Sequence, residues 1–181
     1  MHLVLKLHPD SRCNAASRIE ADVARPRPGA LVLRYVVTGR TSDLRLPPAA
    51  APARGDGLWR HTCFEAFVGA EPGGAYYEFN LAPSMQWAAY RFSGYRSGMR
   101  IARGVGAPRV AARSDGGRFE LEAALALDRL PGLPDDAVWR LGVAAVIEEA
   151  DGRKSYWALT HPPGKPDFHH PDCFAHELAA A

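Results

Sequence analysis

Cysteine is scarce in this chain: Cys13, Cys63 and Cys173 stand far apart, and no CxxC occurs. That spacing excludes a disulfide framework and a zinc ribbon, and it predicts buried, reduced thiols. Lysine is equally scarce, with 3 residues against 19 arginines. The 22 basic side chains are met by 20 acidic ones, and the net charge of +2 is too small for the electrostatic footprint of a typical nucleic-acid binder. Taken over the whole chain, the arginine excess beside 31 alanines reads as coding bias rather than as a phosphate-binding face. No run approaches the roughly 18 apolar residues that a transmembrane helix requires. The segment from Met1 to Asp10 has only a short apolar stretch, alternating with polar residues and followed by no small-residue cleavage site, so it predicts a strand of the mature protein. A soluble, cytoplasmic protein is expected, with neither membrane nor nucleic acid as partner. Catalytic signatures are missing as well: there is no GxSxG, no HExxH, no Walker loop and no convincing pairing of a cysteine nucleophile with histidine.

What is present is a chain of 181 residues, 47% hydrophobic and 23% charged. This suits one domain with a sizeable core and excludes disorder as a whole-chain reading. The dominant period is two, broken every ten residues or so by turn chemistry, as in an antiparallel all-β domain. Residues 30–38 are rich in β-branched and aromatic side chains and end at Gly39, which predicts a strand. Residues 47–57 hold prolines that cannot donate to a ladder and predict a loop. Residues 59–69 and 75–82 predict a hairpin turned by Gly73 and Gly74. Pro83 and Ser84 turn the chain again into a third strand over 86–92.

Two more hairpins are expected, 107–113 with 118–127 around Gly116-Gly117, and 138–149 with 154–159 around Asp151-Gly152. Phe119, Leu121, Ala123, Leu125 and Leu127 make one apolar face, and Trp139, Leu141, Val143, Ala145 and Ile147 make another; residues 119–130 also suit a helix. Nine or ten strands without strong amphipathic helices predict an antiparallel β-sandwich of immunoglobulin-like or jelly-roll type, spanning 1–181 as one domain.

Alternation in a strand beginning at Trp59 puts Trp59, His61, Cys63, Glu65 and Phe67 on one face. Tyr76, Glu78 and Asn80 share a face of the next strand. Glu65, Glu78, Asn80 and Arg91 are therefore candidates to converge beside Trp59 or Trp87. Such a set suits a sugar, because C–H faces pack on an indole while hydroxyls satisfy carboxylates, amides and guanidinium. The alternative is an ordinary ion pair between Glu65 and Arg91, with the tryptophans in the core. Two carboxylates also admit a glycosidase pair, although a small sandwich without cleft insertions favours a binding module. Residues 161–176 hold four of the seven histidines and Cys173. His170, Cys173 and His176, with His61 and Cys63, are the right donor types for zinc, but their spacing matches no common motif and no metal site is expected.

Trp59-x3-Cys63-Phe64-Glu65-Ala66-Phe67, the run Tyr76 to Pro83, the run Trp87 to Phe92 and the closing Phe168-His169-His170-Pro171-Asp172-Cys173-Phe174 together resemble the DOMON-like superfamily, in its branch similar to family 9 carbohydrate-binding modules. The resemblance runs in order over most of the chain. It implies a β-sandwich that binds sugars, or haem in other branches, and it implies no catalytic activity. In the sugar-binding branch a terminal sugar lies between two tryptophans and is hydrogen-bonded by acidic, amide and basic side chains. By position Trp59 looks like the first platform, Glu65 its acidic companion and Trp157 the second platform, with Asn80 and Arg91 completing the set. The haem branch needs an axial pair, for which Met85, Met99 and the histidines are candidates without a matching position. A protein-interaction scaffold with no small-molecule ligand is the third reading.

Overall fold

The structure, a computed structural model, describes residues 1–180. Twelve strands form in chain order: β1 (His2–Leu7), β2 (Ala16–Ala24), β3 (Ala30–Gly39), β4 (Cys63–Gly69), β5 (Tyr76–Leu81), β6 (Trp87–Phe92), β7 (Arg100–Ile101), β8 (Arg109–Asp115), β9 (Arg118–Ala126), β10 (Trp139–Glu148), β11 (Lys154–Ala158) and β12 (His176–Leu178). The two strands beyond the expected ten are short: β7 has two residues and β12 three. Residues 119–126 are strand rather than helix. Among the described residues no helix is long and apolar enough to cross a membrane.

All strand pairs are antiparallel, and they run β7-β6-β5-β4-β10-β11-β1-β2-β3-β9-β8, with β12 on β10. The curl into a sandwich happens at β1. Its first residues pair with β2 and its last two with β11, so one strand belongs to both layers. The two inner faces interdigitate as alternation requires. From one layer come Phe64, Phe79, Leu141 and Ala145; from the other come Ile19, Leu33, Tyr35, Phe119 and Leu121, all buried. Phe64 stacks on Phe119 with centroids 5.8 Å apart, and Tyr35 meets Phe64 at 5.0 Å. The Tyr35 hydroxyl donates to the Glu65 carbonyl at 2.7 Å, so the one polar atom of that buried ring is satisfied.

Turn chemistry sets the hairpins. Asp115 pairs with Arg118 across Gly116-Gly117, both at positive φ (44° and 96°), which suits a two-residue turn. The β10–β11 turn has three residues instead: Glu149 N–H donates to the Arg153 carbonyl at 2.9 Å, and Gly152 takes φ 84°. The β5–β6 turn is also three residues long. Ala82 N–H donates to the Gln86 carbonyl, and Met85 adopts φ 71°.

One strand expectation is corrected. The strand does not begin at Trp59, because Gly57 (φ 72°) starts a 3-10 turn over Leu58–Arg60 and the ladder begins only at Cys63.

Candidate ligand-binding cleft

The layer containing β4, β5, β6, β10 and β11 has a second apolar set on its outer face: Phe67, Tyr76, Ala88, Tyr90, Phe92, Ala144, Val146 and Ala158. A sheet face of this kind needs a cover. Phe168 and Phe174 of the closing segment supply part of it, and Leu58 and Trp59 of the 3-10 turn supply another part. Between these two covers lies a cleft of about 370 Å³ lined by Trp59, Glu65, Glu78, Arg96, Tyr156 and His169, together with apolar side chains. Its size falls within the small-molecule range.

The closing segment is seated by specific contacts. A Cβ on Gly142 would stand 2.9 Å from the Cys173 carbonyl oxygen, so the absence of a side chain there lets the segment lie directly on β10. Cys173 Sγ donates to the Thr160 and Asp167 carbonyls, each at 3.2 Å. Asp167 accepts from Arg96 Nε at 3.0 Å, from Arg96 Nη2 at 2.7 Å and from the Tyr95 hydroxyl. This ties the closing segment to the turn after β6. On the opposite wall the Trp59 ring stands edge-on to Tyr90 at 5.8 Å, and the Tyr90 hydroxyl donates to Asp56 at 2.6 Å, beside the 3-10 turn.

The floor is polar and buried. Glu65 pairs with Asn80 and Phe67 with Glu78 across β4–β5, so the two carboxyls are diagonal neighbours on one face. They are 3% and 5% exposed. Asn80 Nδ2 donates to Glu78 Oε1 at 2.6 Å. The Glu65 carboxyl makes no hydrogen bond to any described protein group and lines the cleft. Burial pushes Glu65 well above the usual carboxylate range; Glu78 adds to this and Arg96 opposes it. Glu78 is pushed up to about 7, again by burial, against Asn80 and Arg96. Two desolvated carboxyls this close disfavour a doubly charged state. The floor therefore offers a carboxylic acid at Glu65, which donates, beside a carboxyl at Glu78 that ionises near neutrality.

His169 adds a donor. Its ring packs edge-on to Phe67, Tyr76 and Phe92. Burial and Arg96 push it down to about 4, with Asp167 opposing, so the imidazole is neutral. Tyr76, raised to about 12 chiefly by burial, keeps its phenol proton. The Tyr76 oxygen accepts from Arg96 N–H at 3.3 Å and lies 2.8 Å from His169 Nδ1. Nδ1 is the one acceptor in reach of the Tyr76 hydroxyl among the described protein groups; with the phenol hydrogen there, the imidazole hydrogen sits on Nε2, 3.7 Å from Glu78 Oε2.

Of the five candidate residues, the fold brings Trp59 and Glu65 to the cleft, with Asn80 fully buried beneath it. Trp157 is elsewhere. It pairs with Ala145, points between the layers at 5% exposure, and its Nε1–H donates to Ser155 at 3.0 Å; its neighbour Tyr156 lines the cleft instead. Arg91 is also elsewhere, since it pairs with Tyr77 and shares that residue's inward face, so it cannot pair with Glu65. The cationic group at the cleft is Arg96. Trp87 lies in the core.

Among the described residues no three histidine, cysteine or acidic side chains gather at metal-binding spacing. His170 Nδ1 accepts from Asp172 N–H, and His176 pairs with Leu141 in β12. Of the candidates for a haem axial pair, Met99 and His169 line the cleft, with Tyr76 already occupying Nδ1 of His169 at 2.8 Å, whereas Met85 sits in the β5–β6 turn.

No family model matches the chain, and no curated protein matches it in sequence. Solved structures do resemble it. A candidate carbohydrate-binding protein from Bacteroides uniformis superposes with a TM-score of 0.67 at 14% identity, over 96% of this chain and 83% of that one. A family 9 carbohydrate-binding module from Caldicellulosiruptor kristjanssonii, solved with cellotriose, gives 0.53 at 11% identity over 91% and 74%. At these identities the likeness establishes the fold: the chain is an antiparallel β-sandwich of the kind found in those two proteins.

Proposed function

We propose that the chain is a non-catalytic carbohydrate-binding domain whose cleft holds one small sugar or related polyol. A C–H face of the ligand rests on Trp59, with Tyr156 in the facing wall, and hydroxyls meet Glu65, Glu78 and His169. The observation that carries this reading is the Glu65 carboxyl, which is 3% exposed and has no hydrogen-bond partner among the described protein groups, yet lines the cleft. A buried polar group in that state is costly unless water or a ligand satisfies it. Hydroxyl groups, which both donate and accept, suit a floor containing an acid, an ionisable carboxyl and an imidazole N–H. The two solved structures described as carbohydrate-binding add support through the shared fold. The non-catalytic part of the reading is supported by those same two neighbours, which are described as binding proteins.

Calorimetry against a panel of neutral mono- and disaccharides tests the proposal. Saturable heat is expected for at least one sugar, and it should be lost in Trp59→Ala with the circular dichroism spectrum unchanged. No heat from any sugar with the unmodified protein overturns it.

A further inference from the structure

A second site is written into the opposite face of the same layer. On that inward side Val68, Tyr77, Arg91 and Arg100 follow one another across β4, β5, β6 and β7. The row starts in the core and ends at two arginines directly opposed across the edge strand pair. Directly opposed residues hold their Cβ atoms about 4.5–5.5 Å apart, and like charges there repel. Arg103 follows two residues after β7 and lines the same groove of about 510 Å³, with Ile101, Ala102 and Pro131. Among the described residues nine of the 19 arginines stand in ion pairs, including Arg96 with Asp167, Arg45 with Glu148, and Arg34 and Arg113 with Glu120. Arg54, close by, donates to the Ala89 and Ala102 carbonyls. Among the described residues Arg91, Arg100 and Arg103 stand within ion-pair distance of no carboxylate, and Arg91 Nε is buried with no acceptor at all.

We propose that Arg91, Arg100 and Arg103 form a binding site for a tetrahedral oxyanion, phosphate or sulfate, either free or carried as a monoester. An oxyanion held by the two opposed arginines offsets the like charge that their cross-strand pairing brings together. The Tyr77 ring, 5.9 Å from the Arg91 guanidinium, is the wall against which that cation is held. Both cations lie close enough to Tyr77 to pull its phenol down against the rise that burial imposes. The site faces away from the cleft described above and does not depend on what that cleft binds.

Nitrogen-15 NMR titrations with sodium phosphate and with sodium sulfate, against sodium chloride at matched ionic strength, test the proposal. Saturable shifts are expected at the Arg91 Nε–H and at the amides of residues 100–103, with none from chloride. In Arg91→Gln and in Arg100→Gln the affinity should fall roughly tenfold or more, with the rest of the spectrum unchanged. A parallel titration with glucose 6-phosphate identifies the source: matching shifts assign the site to monoesters, and shifts with the inorganic ion alone assign it to the free ion. Inward-pointing charge also guards an edge strand against pairing with another chain. If the shifts equal those of chloride, or persist unchanged in both variants, the arginines are edge guards only and the proposal fails.

Discussion

Replacing Glu78 with Gln should make the protein more stable as pH rises, relative to the parent, because the parent carboxyl ionises at a cost. Glu78 is 5% exposed, and burial lifts it from an ordinary 4.5 to about 7. A carboxyl raised in the folded state favours folding while protonated. That contribution is complete below the unfolded value and is lost as pH climbs through the folded one. A tenfold change in proton affinity corresponds to about 1.4 kcal/mol, and integrating the folded and unfolded titrations between pH 5 and pH 8 gives a loss of about 2.5 kcal/mol. Removing the Glu78 charge also eases the ionisation of Glu65, which adds in the same direction.

The parent curve alone cannot isolate this. His169 is pushed down to about 4, so it costs stability as pH falls from about 6.5 towards 4, and it offsets the Glu78 gain in that range. The difference between variant and parent removes most of the His169 contribution. Urea unfolding of both proteins at pH 5 and pH 8 is the assay. The stability difference should move towards Glu78→Gln by about 2.5 kcal/mol over that interval. A difference that stays constant, or moves towards the parent at high pH, would falsify a desolvated Glu78 and instead make it an anion held by Arg96 and Asn80.

The other predictions concern the two tryptophans and the seat of the closing segment. Trp157→Ala empties a core position and should cost roughly 3–5 kcal/mol in urea unfolding. Trp59→Ala, half-buried on the 3-10 turn, should cost no more than about 1 kcal/mol; equal losses would contradict their assignment to core and cleft. Gly142→Ala forces a methyl group against the Cys173 carbonyl and should cost roughly 1–3 kcal/mol. It should also expose Cys173, whose thiol is raised to about 12 by burial. Ellman's reagent at pH 8 should label Cys173 faster in the variant than in the parent, and an unchanged rate would show that the segment does not rest on Gly142.

The alternation of apolar residues was enough to read the layers. Phe119, Leu121, Ala123, Leu125 and Leu127 are all buried inward, as are Trp139, Leu141, Val143, Ala145 and Ile147. The pairing of Glu65 with Asn80 on a shared face was legible for the same reason, since the ladder from β4 to β5 is unbroken. Two other positions, Trp157 and Arg91, were not legible, and both failures have one cause. A two-residue turn at Asp151-Gly152 would pair Trp157 with Val146 and send the indole to the cleft. The observed three-residue turn pairs it with Ala145 and sends it to the core. A two-residue turn at Pro83-Ser84 would likewise pair Arg91 with Tyr76 on the cleft face, but Met85 joins the turn and Arg91 pairs with Tyr77. Shifting a register by one residue moves every side chain of the strand to the other face.

His169, Arg96 and Tyr156 escaped for a different reason. His169 reads as one of several histidines in a proline-rich stretch, and only the contacts of Asp167 with Arg96 and of Cys173 with Gly142 bring that stretch onto β10. Residues separated in sequence by 71 positions, as Asp167 and Arg96 are, have no local signature of their contact.

The sequence by itself therefore determined the class of fold, the inner faces and the acidic floor. All three follow from a two-residue period that burial enforces along each strand. The tertiary structure alone decided which aromatic and which cation reach the cleft, and what covers it. Those outcomes depend on turn lengths of two or three residues and on long-range seating of the closing segment, neither of which the period of a strand encodes.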